Sequence, residues 1–396
     1  MKHGHTMRLL KLIIVVFSVC IMLSLTACGG GGDESSSAAG SLSLKLIDAT
    51  TNDYKAVYVT IKEVQVCTDD ENEEDENSWL IVAKPESTYN LLGLVNGVQE
   101  QLGVTDLDAG HYTQMRLIIG TEADDELNIL GVNHPYANYI VDDGNNYHEL
   151  KIPSGIQTGI KLVSGFNIYE DQTTELILDF DASRSVVKAG NSGQWLLKPT
   201  IKVIGTTVAT ISGTVTDSKE SLGIERVLVS AQFYDGDMIV QASTLTDENG
   251  DYRLFVEPNI YNLVAYKEGY APRCKYIEVE PNSEYGDEDM ILTSTSGEEG
   301  TLSCQVEDVD PGTEDTSVSI SVQQSTVCEG GIGTTQIEIV SLNIADGGVY
   351  DISLPDGSYH VVAETEEGFK KFISNPDPNI TNDDTYTLEI SFEPKL

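Results

Sequence analysis

The chain has 396 residues, of which 64 are Asp or Glu and 23 are Lys or Arg, so its formal net charge is −41. This excess of carboxylates argues against nucleic acid and anionic lipid headgroups as partners, because phosphate binding depends on basic side chains. The length favours two or three domains. Solubility is the simplest explanation for so acidic a surface, and divalent cation binding is the alternative.

Residues 1–27 have the pattern of a secretory signal peptide. Basic residues precede an apolar run that ends in LTAC at 25–28. The uninterrupted apolar stretch is shorter than the roughly 20 residues that a transmembrane helix needs. The ending resembles the bacterial lipobox, and this resemblance implies cleavage before Cys28 and acylation of that cysteine. An ordinary signal peptide, in which Cys28 is incidental, is the alternative.

Residues 28–40 are small and polar and bury nothing, so we expect them to form a flexible tether. Acyl chains on Cys28 would hold the protein at a membrane, since each buried methylene adds about 0.8 kcal/mol of affinity. Position 29 is Gly rather than Asp. By resemblance to Gram-negative lipoproteins, the glycine implies release to the outer membrane. The tether would then hold the folded part away from the membrane surface.

The remaining sequence predicts an all-β fold. Apolar residues occur in short alternating runs that are separated by Gly, Pro and Asn, which is typical of strands joined by turns. In a first domain, 41–206, the segment 89–97 predicts a short helical turn. The strongly acidic segment 68–78 predicts an exposed loop, because like charges at that density cannot pack.

A repeat in the second half of the chain predicts two copies of one small β domain, at 207–296 and 297–396. The sequence ISGTVTD at 211–217 matches LSCQVED at 302–308, and GDY at 250–252 matches GVY at 348–350. Each copy continues with a strand that begins with Tyr and runs apolar. The two matches recur in the same order at similar offsets, 91 and 98 residues, as expected for repeated domains.

The motifs ISGTVTD, TDENGDYRLFV and YNLVAYKEGY resemble the carboxypeptidase regulatory-like domain, a transthyretin-like β-sandwich with Greek-key connections. This resemblance implies no peptidase activity, since catalysis in that family belongs to a separate zinc domain. The motifs LIDA, AGHYTQMRLIIG and LILDFDASRSVV of the first domain resemble domain of unknown function 4382, a family of bacterial lipoproteins. The predicted fold class is therefore all-β, with tandem β-sandwich domains after the signal and tether.

No arrangement of catalytic residues is visible, and we predict no enzyme. His111, His134, His148 and His360 lack the close spacing of metal ligands, and neither a serine-nucleophile elbow nor a Gly-rich phosphate loop is present. With 64 acidic residues, a pair of carboxylates at glycosidase separation would occur by chance. No catalytic residue and no cofactor is therefore assigned.

Calcium is the one metal for which the sequence offers a candidate. Asp247, Asn249 and Asp251 have the spacing that begins an EF-hand loop, and oxygen ligands suit this cation. However, Tyr252 stands where that loop requires Gly, and Asn249-Gly250 is typical of a tight hairpin turn. We therefore favour a turn over a calcium site.

Four cysteines lie beyond Cys28, and they allow three pairings. We predict a disulfide between Cys304 and Cys328, because both fall in the last domain at strand positions. Cys67 and Cys274 lie in different domains, and they could be thiols or bridge those domains. The alternative is that all four are reduced and buried.

The function that these features favour is a lipid-anchored, non-catalytic adhesion or binding module of the cell envelope, with carbohydrate as a possible ligand. Proteins that bind sugars stack the sugar rings on exposed aromatic side chains. The sequence does not place several aromatic residues on one face, and it predicts that Trp195 lies in the core. A structural or assembly component with an envelope protein as partner is the alternative. A hydrolase with an unrecognised pocket is the third hypothesis.

Overall fold

A computed structural model describes the chain over residues 39–49, 51, 53–68, 78–153, 159–162, 165–189, 194–205, 208–307, 317–365 and 371–392. The predicted signal peptide, Cys28 and the tether up to residue 38 lie outside these residues, as does most of the predicted acidic loop. The last two residues of the predicted tether, Ala39 and Gly40, instead begin the first strand, where Gly40 is buried. The described residues belong to one compact unit. None of their helices has the length and apolar character of a membrane span.

The first domain contains the strands β1 Ala39–Ala49, β2 Ala56–Cys67, β3 Leu80–Ala83, β4 Ser87–Asn90, β5 Glu100–Asp108, β6 Gly110–Tyr112, β7 Gln114–Ile119, β8 Tyr139–Val141, β9 Tyr147–Lys151, β10 Ile160–Leu162, β11 Phe166–Ile168, β12 Thr173–Asp181, β13 Val186–Ala189, β14 Gln194–Leu197 and β15 Ile201–Ile204. A 3₁₀ turn at Leu91–Gly93 confirms the predicted helical turn. A short helix, α1 Ala182–Ser185, follows β12, and the Asp181 side chain caps it by accepting a hydrogen bond from the backbone N–H of Arg184 at 3.1 Å.

These strands form two main sheets around one apolar core. One sheet has the order β15-β12-β1-β5, and the other runs β10-β7-β2-β8-β9-β14-β13. Leu44 and Leu46 of β1 and Phe180 of β12 meet Val59 and Ile61 of β2 in the core. Alternate residues of a strand point to opposite faces. In β2 both faces are covered, since every residue of that strand except Lys62 is buried.

The second domain contains β16 Ala209–Asp217, β17 Leu228–Asp235, β18 Asp237–Leu245, β19 Asp251–Val256, β20 Asn259–Tyr266, β21 Tyr270–Ala271, β22 Arg273–Val279, β23 Glu284–Tyr285 and β24 Met290–Ser294. The third contains β25 Glu299–Glu307, β26 Ser317–Thr326, β27 Thr335–Ala345, β28 Val349–Pro355, β29 Gly357–Ser358, β30 His360–Thr365, β31 Lys371–Ile373, β32 Asn379–Ile380 and β33 Thr385–Ser391.

The second and third domains share one topology, which confirms the repeat. In one sheet, a central strand pairs antiparallel with one neighbour and parallel with the other: β16 with β19 and β24, and β25 with β28 and β33. The facing sheets have the matching orders β18-β17-β20-β22 and β27-β26-β30-β31. The all-β prediction with tandem β-sandwiches is confirmed.

Both copies also contain a buried tyrosine that closes a corner of the sandwich. The hydroxyl of Tyr261 donates to the backbone oxygen of Glu257 at 2.7 Å, and that of Tyr359 donates to the oxygen of Pro355 at 2.7 Å. This bond to the residue four positions earlier is the arrangement called a tyrosine corner in other β-sandwiches. The repeated tyrosine thus has the same role in both copies, at the third position of β20 and directly before β30.

The copies differ at one central position, where Gly213 corresponds to Cys304. A Cβ atom at Gly213 would lie 2.6 Å from the backbone carbonyl carbon of Glu288, because the segment before β24 crosses closely there. Cys304 is instead a buried thiol in the third core, and burial raises its pKa to about 12, with Asp351 adding to the effect.

The disulfide joins Cys274 to Cys328, so the prediction of a Cys304–Cys328 pair is wrong. Cys304 lies on β25, in the opposite sheet from β26, and it faces the core. Cys328 follows β26 on a segment that runs beside β22 of the second domain, where its Cα lies 4.6 Å from that of Cys274. The bridge therefore links two domains. Cys67 and Cys304 remain buried thiols.

Three further contacts fix the third domain to its neighbours. The Gln232 side chain of β17 donates to the backbone oxygen of Glu338 and accepts from its N–H, both at 2.8 Å. From the first domain, Arg184 places its guanidinium 3.3 Å from the Glu338 carboxylate. In addition, β13 pairs with β27 through Lys188 and Ile344, which joins sheets of the first and third domains.

Candidate functional site

The structure brings several aromatic residues together in an open groove of about 410 Å³ between the second and third domains. One wall is the end of β17 and the start of β20, and the other is the segment 331–335 that precedes β27. The sequence did not indicate this face, since its residues come from four separate segments. The groove is lined by Phe233, Tyr234, Asn259, Ile260, Tyr261, Asn262, Tyr276, Cys328, Gly331, Ile332, Gly333, Thr334 and Thr335.

The apolar surface of the groove is unusually accessible. Tyr234 and Ile260 are 66% and 52% exposed, and Ile332 is fully exposed. Phe233 is held from behind by an edge-to-face contact with Tyr261, at 5.9 Å between ring centroids. A flat ligand could therefore stack on rings of which one at least is fixed by the core.

Polar groups in the groove are amides and hydroxyls. The Asn262 side chain donates to the Thr335 hydroxyl at 3.2 Å, and the Asn259 side-chain oxygen accepts from the N–H of Ile260 at 2.8 Å. The Tyr276 hydroxyl donates to Glu278 at 2.8 Å, and this bond to a carboxylate raises the pKa of Tyr276. Thr334 is exposed. These groups offer neutral hydrogen bonds to a ligand.

None of the described residues that line the groove is charged. In a chain with a net charge of −41, such a surface is unexpected. It is poorly suited to metal ions or charged ligands, which need compensating charge when they lose water. It suits a neutral ligand that has both apolar faces and hydroxyl groups.

The wall that contains Ile332 is tied to the second domain by more than the disulfide. The N–H of Tyr276 donates to the oxygen of Glu329 at 2.8 Å, and the N–H of Glu329 donates to the oxygen of Cys274 at 2.9 Å. The carboxylate of Glu329 also lies 2.5 Å from the Arg273 guanidinium. The groove is thus built across two domains that are joined beside it by the disulfide, the two backbone hydrogen bonds and the ion pair.

The predicted calcium candidates form a turn. The Asp247 carboxylate accepts from the backbone N–H groups of Asn249 and Asp251 at 2.8 and 3.0 Å, and Gly250 adopts a φ of +83°. Asp251 accepts from the Thr214 hydroxyl at 2.7 Å. Within the described part of the chain, no group of three His, Cys, Asp or Glu side chains is arranged to hold a metal ion.

Each of the four histidines has a polar side chain within hydrogen-bond distance of its ring. His111 contacts the Asn167 side chain at 3.0 Å, and His148 lies 2.9 Å from Asp142. That pairing, with bonds from Asn146, holds the pKa of Asp142 well below its usual range. His134 is buried against Tyr139, and burial lowers its pKa.

His360 and Ser374 both bind the carboxylate of Asp377, at 2.9 and 2.8 Å. A nucleophilic serine would instead donate to the histidine, which would pass the proton on. The order of bonds found here fixes a loop and does not activate the serine. Trp195 is partly buried against the first core, with Tyr54 edge-on at 5.7 Å, as the sequence indicated for a core residue.

Two family models match the chain. Residues 39–199 match the domain of unknown function DUF4382, and residues 210–293 match the carboxypeptidase regulatory-like domain. The chain thus joins a DUF4382 domain to a carboxypeptidase regulatory-like domain. Both are non-catalytic kinds of domain. No curated protein matches this chain.

Among solved structures, the Bacillus anthracis TIE protein is 14% identical with a TM-score of 0.20, over 90% of this chain and 51% of that protein. The chain therefore spans about half the length of that relative. The streptococcal ancillary pilin is 11% identical over 90% of this chain and all of that one (100%), with a TM-score of 0.19. Shaft pilin SpaA from Lactobacillus rhamnosus GG is 8% identical over 48% of this chain and 99% of that one, with a TM-score of 0.18. Scores this low carry no argument about function.

Proposed function

We propose that this protein is a non-catalytic binding module of the cell envelope that holds a neutral glycan in the groove between the regulatory-like and third domains. The observation that carries the proposal is the uncharged, ring-lined surface of that groove in a strongly acidic chain. The C–H face of a sugar ring packs on an aromatic ring, and its hydroxyls exchange hydrogen bonds with amides and hydroxyls. Tyr234, Asn259 and Thr334 offer those groups.

Two features support a non-catalytic role. Both matched domains are of non-catalytic kinds. In addition, Ser374 and His360 bind the carboxylate of Asp377, so that neither is arranged to activate the other. A hydrolase would need a base beside its nucleophile.

Attachment to a membrane through Cys28 is part of the proposal. The Cys28→Ser variant should be found in the soluble fraction or remain uncleaved, because it has no thiol to acylate. The same variant retained in membranes after normal processing would refute the anchor and leave the groove unaffected.

The groove is tested by binding of the purified protein to a panel of neutral and charged glycans, with calcium and again with chelator. We expect saturable binding of neutral glycans, equal in the two conditions, because no charged residue lines the site. Tyr234→Ala should weaken binding by about tenfold, equivalent to 1.4 kcal/mol, since it removes the most accessible ring. Tyr169→Ala is the matched control, because Tyr169 is 56% exposed and lies outside the groove.

Equal losses in the two tyrosine variants would reject the groove as the site. Absence of all glycan binding by folded protein would favour the alternative function, a structural or assembly component of the envelope. Crosslinking in intact cells would then be expected to capture envelope proteins.

A further inference from the structure

A second cavity lies where all three domains meet. It has a volume of about 180 Å³, which is room for several water molecules or one small ligand. The DUF4382 domain contributes Asp53 and Arg184, the regulatory-like domain Tyr266 and Glu268, and the third domain Tyr350. Unlike the groove, this junction cavity is rich in charged side chains.

The charges in the junction cavity do not balance. Five carboxylates line it, and only two basic side chains do, Arg184 and Lys267. Both basic groups are already engaged. The Arg184 guanidinium lies 3.3 Å from Glu338 and 3.6 Å from Asp181, and the Lys267 ammonium donates to the backbone oxygen of Glu225 at 2.5 Å.

Three carboxylates remain, those of Asp53, Glu268 and Asp351, and the aromatic ring of Tyr350 lines the cavity with them. The Tyr350 hydroxyl donates to Asp53 at 3.0 Å. Asp53 and Glu268 are exposed and line the same cavity as Tyr350. Burial of the ring, followed by the charges of Asp53 and Glu268, raises the pKa of Tyr350. Among the described residues neither carboxylate forms an ion pair with a basic side chain. A half-buried ring flanked by two uncompensated carboxylates attracts a cation by both its face and its neighbours.

We infer that the junction cavity binds a small organic cation, whose primary ammonium group lies at Tyr350 between Asp53 and Glu268. The Asp53 carboxylate already accepts from the Tyr350 and Thr51 hydroxyls, at 3.0 and 2.9 Å. Because an ionised carboxylate has about four acceptor positions, Asp53 and Glu268 could still accept hydrogen bonds from the ammonium. Its carbon chain would extend toward Tyr266 and the aliphatic part of the lining. An anion is disfavoured by the excess of carboxylates.

A metal ion is a poorer candidate than an ammonium ion. No three acidic, histidine or cysteine side chains of the described residues are arranged as a metal site, and the cavity is larger than a bare ion requires. An ammonium ion needs only two or three acceptors and gains from contact with the ring. The inference is independent of glycan binding, because the two sites share no lining residue.

Calorimetric titration of the full chain with 1,4-diaminobutane, at constant ionic strength, tests the inference. We expect saturable binding that 1,4-butanediol, the neutral analogue, does not show. The Asp53→Asn/Glu268→Gln variant should bind the diamine at least about tenfold more weakly, because it removes both negative charges while the side chains keep their size and shape. Asp143→Asn, an exposed carboxylate outside the cavity, should change the affinity less than twofold.

Several results would overturn the inference. These are no saturable heat from folded protein at millimolar diamine, equal binding of the diol, or unchanged binding by the double variant. The Tyr350→Leu variant separates the contribution of the ring from that of the charges. It should also weaken diamine binding, and it should leave glycan binding in the groove unchanged. An equal loss in Tyr350→Leu and Asp143→Asn would count against the ring.

Discussion

The regulatory-like domain has two joints that are built in opposite ways. Its joint with the third domain is apolar and covalent: Val264, Tyr266 and Cys274 enter the core of the third domain, and the disulfide closes the joint. Its joint with the DUF4382 domain has a small apolar patch, including Ile47 and Phe255, beside buried charged groups.

The charged groups of that second joint are costly to bury. Asp48 is 3% exposed, and one of its carboxylate oxygens has no hydrogen-bond partner among the described residues. Lys202 donates to the backbone oxygens of Val240 and Gln241 on β18, the second at 3.1 Å, and burial lowers its pKa. Its bonds cap carbonyls on an edge strand that would otherwise be open to other chains.

The difference indicates that the two joints have different sensitivities. The apolar joint, with its disulfide and the amide clamp of Gln232, should depend on covalent linkage and packing and hardly on pH. The polar joint should respond to pH, because burial raises the pKa of the Asp48 carboxyl group well above its usual value. Each prediction below alters one joint and leaves the other intact.

The largest effect is expected when the disulfide is removed. A cross-link between residues 54 positions apart restricts the unfolded chain by roughly 4 kcal/mol on the chain-entropy model. The Cys274→Ala/Cys328→Ala variant should therefore lose about that much free energy of unfolding, as measured by urea denaturation. Cys304→Ala removes a buried thiol without a cross-link and should lose only about 1 kcal/mol. Similar losses in the two variants would show that packing, and not the bridge, secures the joint.

A smaller effect is expected at the amide clamp. Gln232→Leu keeps the approximate volume but leaves the N–H and the oxygen of Glu338 without their partner, and each buried unpaired group costs about 1–3 kcal/mol. We expect a loss of about 3 kcal/mol in the same denaturation assay. Gln172→Leu, at an exposed turn, should change stability by less than about 0.5 kcal/mol. A neutral result for Gln232→Leu would mean that water replaces the clamp.

The sequence contained enough information to predict the β class, the repeat and the 3₁₀ turn, because alternation and turn residues are local properties. The turn at Asp247 could also be predicted from the sequence, since the Asn249-Gly250 pair favours a tight turn in any surroundings. The family resemblances placed the two matched domains in the right order.

The contacts between domains could not be predicted in this way. The sequence places Cys328 in the same domain as Cys304, but its segment folds toward β22 of the neighbouring domain, and only the packing of the two sandwiches decides that. The same holds for the groove, where Tyr234 and Ile332 are nearly one hundred positions apart. The sequence showed that Gly213 of one copy is replaced by Cys304 in the other. It did not show the close approach of the Glu288 backbone to Gly213, which leaves no room there for a side chain.

The smallest effect concerns Asp48, and it is the most diagnostic of the polar joint. Burial, with the nearby charges of Asp181 and Asp179, raises the pKa of Asp48 well above its usual value, so the folded protein keeps this carboxyl protonated where the unfolded chain ionises it. Stability from this group is therefore full below about pH 4 and is lost as the pH rises toward the folded-state pKa.

Asp48→Asn mimics the neutral form, so it should stabilise the protein by roughly 1 kcal/mol at pH 7 and have almost no effect at pH 3. Thermal unfolding at several pH values measures this difference, with Asp125→Asn, an exposed carboxylate of the same domain, as the control. Because Asp48 accepts from the N–H of Ala182 at 3.0 Å, and an amide oxygen can accept the same bond, the substitution should not disturb α1. A gain that is equal at both pH values would show that the variant improves packing, and that the polar joint is no more sensitive to pH than the apolar one.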